Sequence, residues 1–321
     1  MSIASLRPAG RALICCAALA IAGCESISDD AQRSSLAALR TEAPAPRKPL
    51  DLKAAKGCVE SDRRSLAPRA LPRPGQMPRG TLMREIQDDG QLVAGVDQNT
   101  LGLGYYDPRD GVMKGLDIAL VREVARAIFG DLDRRIDFRA ISTQQRESAI
   151  IDGDVDIVAS AFTVTCKRRS AMLFSDVYLV AQQRLLVSED SPVARLSDLH
   201  GKRVCATSGS TSIEHLDDTD VIAYPVPLRS DCLVKLQEGA VEAITSDDTI
   251  LLGFRKQDPR TKIVGPSLRC EHLAMAINKD DREFVRFVNA VLARLRRDGK
   301  LVDLRRKWLD GLEAAPGKRP C

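Results

Sequence analysis

An arginine that follows two threonines at the end of an apolar run is the most chemically suggestive feature of the sequence: Asp156-Ile157-Val158-Ala159-Ser160-Ala161-Phe162-Thr163-Val164-Thr165-Cys166-Lys167-Arg168-Arg169. Val158 to Phe162 reads as a buried strand, so the threonines and Arg168 fall past its carboxyl end, where open α/β sheets gather ligands. A guanidinium fixed there suits a carboxylate, because its planar fork matches two oxygens. The same run also reads as the solvated start of a basic helix. Two more polar groups follow predicted strands. Ser208-Gly209-Ser210-Thr211-Ser212 precedes a short helix, whose unpaired N–H groups and dipole favour an anion, and Ser246-Asp247 supplies a carboxylate. For Asp247 and Asp248 the alternative is helix capping. Arg168 and Asp247 together match both charges of a zwitterion, which is what burial requires, since an unpaired buried charge is strongly unfavourable.

These groups need a scaffold, and from Gly80 onward short apolar runs alternate with amphipathic segments, the signature of an α/β fold. Strands are predicted at Leu92–Val96, Ile136–Arg139, Gln183–Val187, Ile222–Val226, Val241–Thr245 and Ala274–Ile277, with one more emerging near Val204-Cys205. Asp117 is expected to cap a helix whose Ile118, Val121, Val124, Ala125 and Ile128 form one stripe before Gly130. Further helices are predicted at Gln144–Ile151, Cys232–Gln237, Arg282–Arg297 and Val302–Leu309. Phe284, Val288, Val291, Leu292 and Leu295 give the longest of these a core face. The stretch is longer than a usual single domain, so two lobes with a cavity between them are expected.

The amino-terminal end reads differently. Arg7 and Arg11 precede an apolar segment, Ala12 to Gly23, too short for the roughly 20 residues that span a bilayer, so residues 1–23 are expected to be a secretory signal. Ile21-Ala22-Gly23-Cys24 resembles the lipobox of bacterial lipoproteins, which implies acylation of Cys24 and anchoring at the extracytoplasmic face of a cell membrane. Residues 24–79 are rich in proline and poor in periodic apolar positions, the composition of a linker. Outside the cytosol the remaining Cys58, Cys166, Cys205, Cys232, Cys270 and Cys321 favour disulfides. Six cysteines allow 15 pairings. Cys205 with Cys232, both inside one predicted lobe, is the first expectation; Cys58 with Cys166 and Cys270 with Cys321 follow. Cys166 beside Lys167 and Arg168 also reads as a low-pKa thiol. His200, His215 and His272 are scattered, no cysteine pair has zinc spacing, and no metal or cofactor is expected. Net charge is +4, but the basic residues are interleaved with acidic ones and aromatics make up only 4%, which argues against a nucleic-acid partner.

Several motifs in order carry a family resemblance: Gly115-Leu116-Asp117-Ile118; Thr163-Val164-Thr165-Cys166-Lys167-Arg168 with Phe174-Ser175 and Tyr178; Leu199-His200-Gly201-Lys202-Arg203-Val204 with Gly209-Ser210-Thr211; Glu242-Ala243-Ile244-Thr245-Ser246-Asp247-Asp248-Thr249; and Gly299 with Arg306-Lys307-Trp308-Leu309. Over about Gly80 to Leu312 the chain resembles family 3 solute-binding proteins of polar amino-acid ABC importers, most of all the glutamine- and glutamate-binding lipoproteins. The resemblance implies a periplasmic-binding-protein type II fold, two α/β lobes joined by a two-strand hinge. It implies lobe 1 from residues 80–181 and 272–312, lobe 2 from residues 182–271, and a tail of residues 313–321. Arg168 would grip the α-carboxylate of an amino acid, helped by the N–H groups of Thr163 and Thr211. The Ala161 carbonyl, the Thr163 hydroxyl and Asp247 would hold the α-ammonium. Gln98 and Asn99 are candidates for reading the ligand side chain, and their bland alternative is a turn. Thr207 stands where some glutamine binders have lysine, and Thr211 replaces a glycine. The implied function is capture of glutamate, glutamine, aspartate or asparagine by a monomer that delivers it to ABC permease and ATPase subunits. An amino-acid sensor, or a dehydratase-like enzyme on the same scaffold, are the alternatives.

Overall fold

Alternating strand and helix build two sheets in the computed structural model, which describes Lys53, Cys58, Val59 and residues 64–310. The chain runs α1 (Leu82–Asp89), β1 (Leu92–Val96), β2 (Asn99–Thr100), β3 (Gly104–Asp107), β4 (Val112–Lys114), α2 (Leu116–Phe129), β5 (Ile136–Ala140), α3 (Gln145–Ile151), β6 (Ile157–Ala159), α4 (Cys166–Arg169) and β7 (Met172–Phe174). It continues through β8 (Leu179–Ser188), β9 (Arg203–Thr207), α5 (Thr211–Glu214), β10 (Ile222–Val226), α6 (Arg229–Gln237), β11 (Ala243–Asp247) and α7 (Asp248–Gln257). Last come β12 (Thr261–Leu273), β13 (Ala276–Asn278), α8 (Arg282–Arg297) and α9 (Lys300–Leu309).

The first lobe is built on the sheet β5-β1-β6-β13-β7. Its β1 pairs in parallel with β5 and β6, while β13 runs antiparallel to β6 and β7. Ile157, Val158 and Ala159 of β6 are fully buried, as expected for a central strand covered on both faces. The α2 stripe of Ile118, Val121, Val124, Ala125 and Ile128 is wholly buried against this sheet. Asp117 does not cap α2. Gly115 takes that position with φ 122°, where an added Cβ would lie 2.1 Å from the Leu103 carbonyl oxygen. The Asp117 carboxylate turns inward instead, accepting from the Ala161 N–H at 2.9 Å and the Tyr178 hydroxyl at 2.7 Å.

The second sheet has the order β10-β9-β11-β8-β12. Its β9 is parallel to β10 and β11, and β8 is antiparallel to β11 and β12. Two strands join the lobes: β8 and β12 pair from Ser188↔Thr261 down to Leu179↔Leu273, where Leu273 bridges Thr163 and accepts the Tyr178 N–H at 2.9 Å. The expected boundaries at 181–182 and 271–272 fall inside these strands. The chain then returns to the first lobe through α8, whose Phe284, Val288, Val291, Leu292 and Leu295 are buried.

Cys205–Cys232 ties β9 to α6, and Cys58–Cys166 ties the amino-terminal segment to α4, so two of the expected disulfides are present. Cys321, expected to partner Cys270, and Cys24 lie outside the described residues. Residues 64–78, expected as linker, lie against the first lobe. Asn289 donates to the Ser65 hydroxyl at 2.8 Å and the Leu66 carbonyl at 2.7 Å, and Met77 is buried. Leu66, Leu71 and Met77 pack on the core of that lobe and, with these hydrogen bonds, dock the stretch despite its prolines.

Candidate ligand-binding cleft

The carboxyl ends of β1, β6, β9 and β11 converge between the lobes, and the polar groups singled out by the sequence sit there. Thr165 caps α4, its hydroxyl accepting the Arg168 N–H at 3.2 Å. A short helix does start there, as the alternative reading held, but Arg168 is buried and not solvated. The Arg168 guanidinium donates to Glu147 Oε1 at 3.1 Å, to the Thr163 carbonyl at 2.9 Å and, across the lobes, to the Gly209 carbonyl at 3.1 Å. Three of its five N–H donors are thereby engaged, and two make no hydrogen bond among the described residues.

Asp247 is the N-cap residue of α7 but makes no side-chain capping bond, and its buried carboxylate has no hydrogen-bond partner among the described residues. Burial pushes its pKa well above the ordinary carboxylate range, with the neighbouring Glu271 adding to the rise and Arg229 and Arg146 opposing it. Asp248, the other candidate cap, accepts the Gln182 N–H at 3.2 Å. Glu271 of β12 was not anticipated. It collects the Thr211 hydroxyl at 2.9 Å and the Thr163 hydroxyl, and burial raises its pKa against the pull of those two donors. The Thr163 hydroxyl, expected to face an ammonium group, thus serves Glu271, because a buried carboxylate needs donors.

Ala161 adopts φ 45°, unusual for a residue with a Cβ. Asp117 holds its N–H, and its carbonyl oxygen accepts from Arg146 Nη1 at 3.0 Å. Arg146, on α3, was also missed. It is buried and donates only to carbonyls: Thr143, Ser160, Ala161 and, across the lobes, Gly209 at 3.2 Å. Burial drives its pKa well down, and the like charges of Arg168 and Arg229 add to this. The Phe162 ring lies between two guanidiniums, 4.3 Å from Arg146 and 4.6 Å from Arg168, an arrangement that favours both cations. Arg229, the first residue of α6, reaches from the second lobe to Asp97 Oδ2 at 2.7 Å and the Ser160 carbonyl at 2.9 Å. The rule that selected Arg168, a basic residue just past a strand end, applies equally to Arg229 after β10.

Gln98 and Asn99 are exposed at the mouth of the cleft. They line a cavity of about 170 Å³ with Asp97, Ser142, Thr143 and Arg229. They also make the turn: the Asn99 N–H donates to Asp97 Oδ1 at 2.6 Å, and the Gln98 carbonyl accepts the Tyr106 N–H at 2.9 Å.

The arrangement thus offers three buried guanidiniums, Arg146 and Arg168 from the first lobe and Arg229 from the second, close to the buried carboxylates Asp247 and Glu271; among the described residues Arg146 has no carboxylate within hydrogen-bond distance. No helix among the described residues is long and apolar enough to cross a membrane. Glutamine-binding protein GlnH of the Bacillus subtilis ABC transporter is 28% identical over 227 residues, covering 70% of this chain and 83% of that protein. Glutamate-binding protein GluB of Corynebacterium glutamicum is 31% identical over 225 residues, covering 66% and 76%. An ancestral arginine-binding protein bound to arginine superposes with TM-score 0.63 at 28% identity, covering 68% of this chain and 98% of that one. The L-cysteine solute receptor of Neisseria gonorrhoeae shares the fold with TM-score 0.69 at 21% identity, covering 73% and 97%. Residues 92–311 match the profile of the bacterial extracellular solute-binding proteins, family 3, and the chain belongs to that family.

Proposed function

We propose that the protein is the lipid-anchored extracytoplasmic receptor of an amino-acid ABC importer, taking an acidic amino acid or its amide between its lobes. The observation that carries this is the meeting of buried basic and acidic groups in one cleft: Arg168 with two uncommitted N–H donors, and Asp247, whose carboxylate accepts no hydrogen bond among the described residues. Arg168 grips the α-carboxylate, and Asp247, with Glu271 beside it, takes the α-ammonium. Thr163, Thr211 and Ala161 order this pair, with Gln98 and Asn99 at the entrance. Arg146, buried among carbonyls, is the group best suited to a side-chain carboxylate, which favours glutamate and aspartate over their amides. Kinship with proteins named for glutamine and glutamate supports the same ligand class. Closure follows from the ligand binding the closed form better than the open one. Cys24 supplies the anchor, and the body works as a monomer against its permease.

Thermal shift of the mature protein against glutamate, aspartate, glutamine, asparagine, arginine and cysteine tests this. At 100 times Kd a single site stabilises by about 2.7 kcal/mol, which moves Tm by several degrees. Arg168→Ala and Asp247→Ala are expected to abolish the shift while leaving the circular dichroism spectrum intact. No shift with any amino acid, or full binding by both variants, would overturn the proposal. Cys24→Ser is expected to release the protein from membranes.

A further inference from the structure

A cavity of about 210 Å³ lies between the lobes, walled by residues the cleft does not use. From the first lobe come Leu101, Tyr105 and Trp308 of α9; from the second come Thr249, Leu252, Gly253 and Lys256. The latter stand at i, i+3, i+4 and i+7 on α7, so a single face of that helix forms the wall. Gly253 permits the approach, since a Cβ there would lie 2.7 Å from the Leu101 carbonyl oxygen.

Two polar atoms of this wall are buried without a hydrogen-bond partner among the described residues, Thr249 Oγ1 and Trp308 Nε1. Thr249 is itself only 2% exposed. Buried donors left unmade are costly, and native structures supply them with a partner. At the rim, Lys256 Nζ donates to the Asp310 carbonyl at 2.9 Å, and Lys307 Nζ lies 5.0 Å from the centre of the Trp308 ring. No acidic side chain lines the space. Donors and positive charge dominate its polar side, and Leu101, Leu252 and Tyr105 its apolar side. The volume is below the roughly 300–1,000 Å³ of drug-sized pockets, so the occupant is small.

We propose that this cavity is a second ligand site, for a small organic carboxylate whose oxygens accept from Trp308 Nε1 and Thr249 Oγ1 while its carbon chain lies on the apolar wall. Because both lobes supply the wall, the occupant binds the closed arrangement and tightens the amino acid in the cleft; reciprocally, the amino acid tightens the carboxylate. This second consequence rests on the amino-acid receptor reading above.

Trp308 is the chain's single tryptophan, so its fluorescence reports the site directly. The mature protein, first saturated with the amino acid that it binds best, is titrated with butyrate at constant ionic strength, with chloride and inorganic phosphate as parallel arms. A saturable change in emission with butyrate is expected, with affinity reduced about tenfold in Thr249→Val and retained in Thr249→Ser. Calorimetry is expected to show the amino acid binding several-fold tighter in saturating butyrate. Amino-acid affinity in the absence of butyrate is expected to be the same in wild type and Thr249→Val. No saturable change, a response to phosphate alone, an equal response to chloride, or an unaltered Thr249→Val titration would each overturn the second site. Amino-acid binding is read by calorimetry without the fluorophore, so its failure is distinguishable from failure of the cavity.

Discussion

Replacing Gly253 by alanine should move stability and affinity in opposite directions. Gly253 lies inside α7 against the Leu101 carbonyl of the other lobe, and the new Cβ would stand 2.7 Å from that oxygen. Ordinary contact begins at 3.4 Å, so the lobes must part by roughly 0.7 Å at this point. The obstructing atom is backbone, and no side-chain rotation relieves it. Overpacking of this kind costs about 1–3 kcal/mol, and here it falls on the closed form alone. At 1.4 kcal/mol per decade, Kd for the amino acid is expected to rise roughly 5- to 150-fold. Alanine is also about 1 kcal/mol better than glycine within a helix, an advantage that open and closed forms share. The ligand-free variant should therefore melt about 2–4 °C higher than wild type. Calorimetric titration and differential scanning calorimetry on the same preparation read both numbers. Unchanged affinity with raised Tm would mean that the ligand does not bring the lobes onto this contact. A lowered Tm without ligand would mean that the free protein already occupies the closed arrangement.

Arg146→Met should weaken glutamate far more than glutamine, by about 10- to 150-fold if one charged hydrogen bond is lost, and equal losses for both would remove Arg146 from side-chain recognition. Asp247 and Glu271 are both pushed upward by burial, so below their raised pKa values they hold a proton that an incoming ammonium group must displace. Binding should then release protons and tighten with rising pH across that range; calorimetric heats that do not vary between buffers of different ionisation enthalpy would contradict this. The pKa of Asp156, the residue before β6, is raised from 3.8 to about 6 by burial, although the carboxylate accepts the Val93 N–H at 2.8 Å. A folded-state pKa above the unfolded value favours the native state below about pH 4 and loses up to about 3 kcal/mol as pH rises through 6. Asp156→Asn keeps an acceptor for Val93 and cannot ionise, so it should melt above wild type at neutral pH, with the gap closing near pH 4; a gap that widens on acidification would reverse the assignment.

Some regular elements were legible in advance. The expected bounds of β1, β10 and α8 coincide with those observed: α8 carries its apolar positions at a helical period, and β1 and β10 are short, mostly apolar runs bounded by turns. β12 escaped notice despite its length, since most of its residues are only half-buried and a register shift separates Val264 from Arg269, leaving no apolar run to read. Strands β2, β3 and β4 are two to four residues long and leave no period at all. At the site, Arg168 and Asp247 could be found because each follows a strand end. Arg146 lies within a helix, where the sequence pattern does not separate a buried arginine from a solvated one. Asp117 looked like a cap by local rules, yet its partners Ala161 and Tyr178 are distant in sequence, and tertiary hydrogen bonds prevailed over the local option.

The Cys58–Cys166 bond decides which half of the molecule is cargo and which is chassis. Cys166 opens the short helix that carries Arg168, so a tug arriving from the amino-terminal side enters the first lobe beside that buried arginine. Among the described residues the chain passes between the lobes only through β8 and β12, so that tug reaches the second lobe indirectly. If the amino-terminal end is moored as proposed, the first lobe rides with the mooring and the second is the half left to swing, so opening the jaws to release a captured molecule needs a handle on that half.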